Sequence, residues 1–293
     1  MTTHEMTAPG NPDVRRLAQY RRALKLPEHG VFEWVNPAAG VDQPVDVSVL
    51  VTCHNYARFV GDALRSAFEA AIAPLAVEVI VLDDASTDES LACIRALVDS
   101  ALVPMRVMRT WWNVGVSRAR NLALARSRGE FVFILDADNT LMPDALVNLH
   151  AHARARQADA AYGPVQRVAE DGSLLDRVSD RPFDPGFLVA QGNYIDAMAL
   201  FRRRALLDVG GYDVHLLRRI AGWEDYAVWL EFARKGYRVA FHHEVIGRYL
   251  LKSGSMLQTI TTAEIARARA LFVRRYRGLI AGPRRSRDQS TGT

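Results

Sequence analysis

Two rhythms of apolar and polar positions alternate along this chain. Residues 47–52 form an apolar run rich in β-branched side chains. After it Phe59, Val60, Ala63, Leu64, Ala67 and Phe68 recur at the spacing of one helix face, so a strand is followed by a helix. Residues 77–82 repeat the strand run, and Ser86 with Glu89 three positions on has the form of a capping box for a helix carrying Leu91, Ile94, Leu97 and Val98. A short strand at 105–108, a helix at 116–126 and a fully apolar strand at 131–135 follow. Uninterrupted apolar strands belong to sheets covered on both faces, and strict alternation with helices gives a doubly wound, mostly parallel sheet. The expected class is α/β.

Beyond Pro143, which suits the first turn of a helix carrying Ala145, Leu146, Leu149 and His150, the pattern becomes mixed. Residues 160–168 and 174–178 flank Glu170-Asp171-Gly172-Ser173 and predict a hairpin turning at Asp-Gly. A helix is expected over 223–235, stopped by Gly236, with a strand at 237–241. Ile265, Ala268, Leu271 and Phe272 give a C-terminal amphipathic helix, expected to pack on the core. The organisation read from these patterns is a loosely attached leader over 1–44 with a short helical pattern at 14–24, a first half over 45–140, a mixed second half over 141–260, and a helix with a basic tail over 261–293.

Composition narrows the classes. A chain of 293 residues with 49% hydrophobic content reads as globular. Its longest apolar run, 131–135, is far short of the roughly 20 residues that span a bilayer, and no apolar signal core opens the sequence, so a cytoplasmic location is expected. Cys53 and Cys93 lack zinc-ligand spacing and read as buried thiols. The net charge of +4 is concentrated at the ends, in Arg15, Arg16, Arg21 and Arg22 and in Arg274, Arg275, Arg277, Arg284, Arg285 and Arg287. These ends read as solvated, with peripheral contact to anionic lipid at the inner face of a membrane as the alternative, and no nucleic-acid module accompanies them.

The candidate chemistry lies at the strand ends. In a parallel sheet every strand delivers its carboxyl end to one edge, where ligands bind. Thr52, His54, Asn55 and Tyr56 follow the first strand, Asp83, Asp84, Ser86 and Asp88 the second, and Asp136, Asp138 and Asn139 the buried fourth. In Asp136-Ala137-Asp138 the two carboxylates project to the same side and can share a cation through hard oxygen ligands, and that cation can bridge a diphosphate. One of Asp83 and Asp84 would accept the imide N–H of a uracil or thymine base. No G-x-G-x-x-G follows the first strand and no P-loop motif is present, which removes the phosphate cradles of dinucleotide and P-loop folds. Glu224 and Asp225 open a helix, as N-terminal acids favoured by its dipole or as a general base aimed at an acceptor hydroxyl. Of His242 and His243, at most one would face a site. Trp223, Arg248, Lys252, Ser253 and Ser255 are candidates for an acceptor wall and a lid over phosphates.

Taken in order, several segments closely resemble the family 2 inverting glycosyltransferases over about residues 45–255. They are Ser48-Val49-Leu50-Val51-Thr52, Val79 through Asp83-Asp84-Ala85-Ser86-Thr87-Asp88, Asn113-Val114-Gly115, Ala119-Arg120-Asn121, Gly129-Glu130-Phe131 through Asp136-Ala137-Asp138, Gly210-Gly211-Tyr212-Asp213 and Trp223-Glu224-Asp225-Tyr226. The resemblance implies a GT-A fold with a nucleotide-binding first half and an acceptor-binding second half. It implies that Thr52 and Asp84 (or Asp83) contact the base, that Arg120 and Asn121 line the nucleotide site with Asn113 and Ala137 beside them, and that Asp136 lies near the ribose and metal. Asp138 would ligate Mg²⁺ or Mn²⁺, and Asp225 would be the base of a single displacement from a UDP- or dTDP-sugar to a glycan, lipid-linked or small-molecule hydroxyl. The chain departs from the family in two places. Arg248-Tyr249-Leu250-Leu251-Lys252 has no histidine where a third metal ligand is common, and the Q-x-x-R-W segment and membrane helices of processive members are missing. A non-catalytic sugar-nucleotide binder with the same fold is the rival reading, distinguished by whether the protein releases UDP slowly from a donor.

Overall fold

The computed structural model describes residues 31–36, 43–214, 223–252 and 261–279. Its centre is four parallel strands: β2 (Val47–Cys53), β3 (Val77–Asp83), β4 (Met105–Thr110) and β5 (Phe131–Asp136). An antiparallel edge strand β1 (Val31–Val35) pairs with β4. Beyond β5, the sheet continues through β10 (Leu200–Arg202), antiparallel to both neighbours, then β7 (Ala160–Tyr162) and β11 (Val239–Phe241), giving the order β1-β4-β3-β2-β5-β10-β7-β11. The two halves read from the sequence therefore share one sheet. A second sheet, in the order β6 (Thr140–Leu141), β12 (Gly247–Leu251), β8 (Val165–Ala169) and β9 (Leu174–Val178), caps the carboxyl side of β5.

Helices cover both faces, which is why the central strands are apolar without alternation. Val47, Val49 and Val51, with Val79, Val81, Phe131 and Phe133, pack under α1 (Val60–Glu69), α2 (Ser90–Val98) and α4 (Ala145–Ala155). Leu50, Ile80, Leu82, Val132 and Ile134 face α3 (Val116–Arg126), α5 (Pro185–Gln191), α6 (Arg203–Asp208), α7 (Glu224–Lys235) and α8 (Thr262–Tyr276). Tight backbone approach at the start of β5 requires Gly129, where a Cβ would stand 2.6 Å from Ser48 N and 2.5 Å from Phe131 O. The buried polar groups there satisfy one another. Ser48 Oγ donates to Glu78 Oε1 at 2.6 Å and accepts from Gly129 N at 2.9 Å, while Arg128 Nε reaches Glu78 Oε2 at 3.0 Å.

Several local expectations are corrected. Ser86 and Glu89 form no capping box: α2 begins at Ser90, whose N–H donates to Asp88 Oδ1 at 3.0 Å, and Ser86 Oγ instead accepts from Asn55 N at 2.9 Å. A left-handed turn at Ala85 (φ 54°) carries Ser86 away from the helix and toward the β2 loop. Pro143 lies in the turn before α4 rather than within it. Residues 160–168 are not one strand, because the chain leaves the large sheet at Gly163-Pro164 and enters the second as β8; the β8–β9 hairpin at Asp171-Gly172 is present. The leader is not loose at residues 31–36, since β1 is a bonded strand and Asn36 Nδ2 donates to Ala101 O and Val103 O at 3.1 and 2.9 Å. The helical pattern at 14–24 and the arginines at 15–22 and 284–287 lie outside the described residues. Gly236 (φ 70°) ends α7 as expected, and α8 packs through Ala268, Phe272 and Tyr276. No helix among the described residues is long and apolar enough to cross a membrane.

Candidate active site

The carboxyl ends of β2, β3 and β5 lie side by side at one edge of the sheet, and the start of α7 (Glu224 on Arg120) and the end of β12 (Lys252 on Asp138) come against that edge to bound the candidate crevice. Thr52 stands in register between Leu82 on β3 and Asp136 on β5. The β2 and β3 loops are stapled together. His54 Nδ1 donates to Asp84 O at 2.7 Å, Asn55 Oδ1 accepts from Thr87 N at 2.8 Å, and Tyr56 N donates to Ser90 Oγ at 2.8 Å. His54 and Asn55, expected as ligand contacts, thus build the loop, with Asn55 in the left-handed region (φ 61°).

Asp83 and Asp84 have different environments. Asp84 accepts from Thr110 Oγ1 and Val114 N at 2.8 Å each and from Gly115 N at 2.9 Å, so it fixes the entry to α3. Asn113 helps through its own bond from Gly115 N at 3.0 Å. Asp83 points to the other face, sealed from solvent, with Arg109 Nε 3.5 Å away, and burial raises its carboxyl above the usual range.

Arg120 joins the two halves of the crevice. Buried on α3, it gives one nitrogen to Asp136 Oδ1 at 2.6 Å and another to Glu224 Oε1 at 2.9 Å, and its guanidinium lies over the Tyr212 ring at 5.2 Å. A planar fork suits this bridging, and the two carboxylates hold it charged despite burial. Asn121, its neighbour, is not open to a ligand: its amide donates to Tyr212 O at 2.7 Å and accepts from Tyr212 N at 2.9 Å, locking the Gly211-Tyr212 turn against α3. Ala137 is likewise a core residue, 2% exposed.

Glu224 has both oxygens engaged, accepting from Arg120 and from Trp223 N (3.0 Å). Asp225 Oδ2 accepts from Asn193 Nδ2 at 3.0 Å and its Oδ1 from Tyr226 N at 2.7 Å; burial, then the charge of Glu224, pushes its pKa up to about 7. Asp196, absent from the sequence-based set, stands nearby. Its Oδ1 accepts from Met198 N at 2.9 Å, and burial followed by the charge of Asp136 pushes it up to about 7 as well. Asn193 and Asp196 sit in an irregular segment before β10, where no periodicity marks them. Trp223 packs toward Tyr226 and Phe272, with ring centroids at 5.9 and 6.5 Å.

Asp138 Oδ2 lies 2.9 Å from Lys252 Nζ, and burial, then Asp136, raises its carboxyl. Arg248 is exposed on β12, and Ser253 and Ser255 lie outside the described residues. His242 packs on His152 and near Glu244 (3.4 Å). No group of three or more His, Cys, Asp or Glu among the described residues is arranged to hold a metal ion. Asp136 and Asp138 offer the hard oxygens that Mg²⁺ and Mn²⁺ take, each already paired with a side-chain cation. Magnesium is commonly held by one or two carboxylates plus substrate phosphates. The residues therefore fit an ion that arrives with a diphosphate.

Solved structures share this architecture. That of S. aureus TarS 1–349 in complex with UDP-GlcNAc superposes with a TM-score of 0.65 at 17% identity, over 81% of this chain and 71% of that one. The mannosyltransferase PcManGT from Pyrobaculum calidifontis, in complex with GDP-Man and Mn²⁺, gives 0.56 at 21% identity, over 83% and 65%. The fold is that of the GT-A glycosyltransferases. Residues 48–210, more than half the chain, match glycosyl transferase family 2, and the protein belongs to that family. It is 29% identical over 260 residues to the succinoglycan biosynthesis protein ExoU of Rhizobium meliloti (strain 1021), covering 84% of this chain and 72% of that protein.

Proposed function

We propose that this glycosyltransferase moves a sugar from a UDP- or dTDP-sugar to a hydroxyl of a glycan, lipid-linked or small-molecule acceptor, in the cytoplasm, with inversion at the anomeric carbon. The observation that carries the reading is the Arg120 bridge, which ties Asp136 at the donor edge to Glu224 at the acceptor edge, next to Asp225. Asp225, oriented by Asn193, takes the proton of the acceptor hydroxyl as its oxygen bonds to the anomeric carbon and the bond to the diphosphate breaks. A base titrating near neutrality suits that task. Thr52 and the Asp83-Asp84 turn border the base end of the donor, and Asp138 with Asp136 would hold Mg²⁺ or Mn²⁺ against its diphosphate. Such an ion supplies positive charge to the leaving nucleoside diphosphate.

The test is a panel of donors scored by nucleotide release with and without acceptors. Wild type should turn over one nucleotide class, Asp138→Ala and Asp225→Asn should each lose transfer, and NMR of the product should give inverted anomeric configuration. Unchanged rates in both variants, or a retained anomer, would refute the assignment.

A further inference from the structure

Lys252 enters the crevice from the end of β12, and its ammonium is held on three sides. Nζ is 2.9 Å from Asp138 Oδ2, 3.7 Å from the ring centre of Tyr56 and 4.6 Å from that of Phe59. Both partners of the ion pair are shielded, with side chains 13% and 16% exposed. A carboxylate with two π faces makes a site built for a monovalent ammonium, because the ring quadrupoles attract it along with the charge. Its position is set by the framework. Gly247 and Arg248 pair with Leu141 and Thr140 on β6, and Leu250 N donates to Asn139 Oδ1 at 3.1 Å, one residue beyond Asp138.

Asp138 thus has two claimants, the ammonium already on it and the divalent ion proposed above. An ion arriving alone must push against Lys252 and gains Asp138 and an Asp136 that Arg120 already neutralises. A nucleoside diphosphate changes that balance, since its oxygens can receive both the metal and the ammonium, and lysine binds phosphate as a mobile point charge. We propose that Lys252 couples metal to donor: its ammonium occupies Asp138 until a nucleoside diphosphate arrives, then moves to a diphosphate oxygen and yields Asp138 to the ion. This rests on the donor-and-metal reading and adds that the two ligands bind as a unit. Linkage makes the coupling reciprocal, so nucleotide tightens metal by the same factor as metal tightens nucleotide.

The experiment titrates full-length protein with Mn²⁺, following the free-ion EPR signal with and without UDP, for wild type, Lys252→Met, Lys252→Gln and Asp138→Asn. Wild type should take up Mn²⁺ weakly alone and more tightly, by roughly tenfold or more, with UDP. Lys252→Met and Lys252→Gln should bind Mn²⁺ alone more tightly than wild type and show a much smaller UDP effect. Asp138→Asn should lose the UDP-dependent uptake. Equal Mn²⁺ affinity and equal UDP effect in wild type and both Lys252 variants overturn the coupling while leaving the metal site standing. Absence of Mn²⁺ uptake by wild type even with UDP overturns both. A cooperative thermal melt without ligand, at a temperature close to that of wild type, confirms that each variant is folded.

Discussion

Asp225 and Asp196 are both carboxylates whose pKa burial pushes up to about 7, yet they predict different outcomes on substitution. For Asp225 the proposed base is the charged form, and on that proposal the acceptor-dependent rate should climb with pH through about 7 and then level. Asp225→Asn should abolish that limb and cost roughly 10²–10⁴ in turnover while UDP still protects the protein thermally. For Asp196 the readout is stability. In the unfolded chain an aspartate gives up its proton near pH 4, whereas the folded protein keeps it to about 7, so folding stability falls as pH rises across that window. Asp196→Asn keeps the acceptor for Met198 N and removes the buried charge. Its melting temperature should exceed that of wild type at pH 8 and match it near pH 4. An equal gain at both would show that the charge is not the cause. Arg120→Met should act oppositely, since Asp136 and Glu224 would be left without their shared cation; a loss of roughly 3–5 kcal/mol in a urea denaturation series is expected.

Among the elements, β12 links the second sheet to the crevice through a close backbone approach. A Cβ at Gly247 would lie 2.7 Å from Thr140 O and 3.3 Å from Met198 Cε. Gly247→Ala should therefore push β12 off β6 and displace Lys252, seen as lower thermal stability and weaker UDP protection together. The central strands and helices follow from apolar runs and helical spacing, because those depend on neighbours in the chain. The Ser86-Glu89 pair shows the limit: the motif was present, but Asn55 on another loop took Ser86, and Asp88 served Ser90 instead. β1 was missed because Val31-Phe32-Glu33-Trp34-Val35 sits between Pro- and Gly-containing stretches and gains its strand partner from β4, over seventy positions away in every pair.

On the scale of the molecule, α8 supports the site from behind. Phe272 lies 4.5 Å from Tyr226 by ring centroid, and Arg275 reaches Glu231 at 3.1 Å, so α8 holds the start and middle of α7, whose first turn carries Glu224 and Asp225. Removing residues 261–293 should expose Trp223 and Tyr226, lower the melting temperature, and speed amide exchange in α7 more than in β2 or β3. If exchange in α7 is unchanged, α8 is a passenger. The family resemblance read over about residues 45–255 is borne out by the match to glycosyl transferase family 2 over residues 48–210, and the GT-A fold by the solved structures it resembles.

The sequence by itself determined the parallel centre, the helices on its two faces and the identity of the acidic pair after β5, because each is written in local periodicity or in a contiguous motif. Tertiary structure decided what those groups are bonded to. Arg120 reaches Glu224 across 104 positions, Leu250 reaches Asn139 across 111, and Lys252 meets Asp138 by way of a sheet that no local pattern specifies. Burial and the charges brought alongside set the proton affinities of Asp138, Asp196 and Asp225, and these depend on how the chain packs.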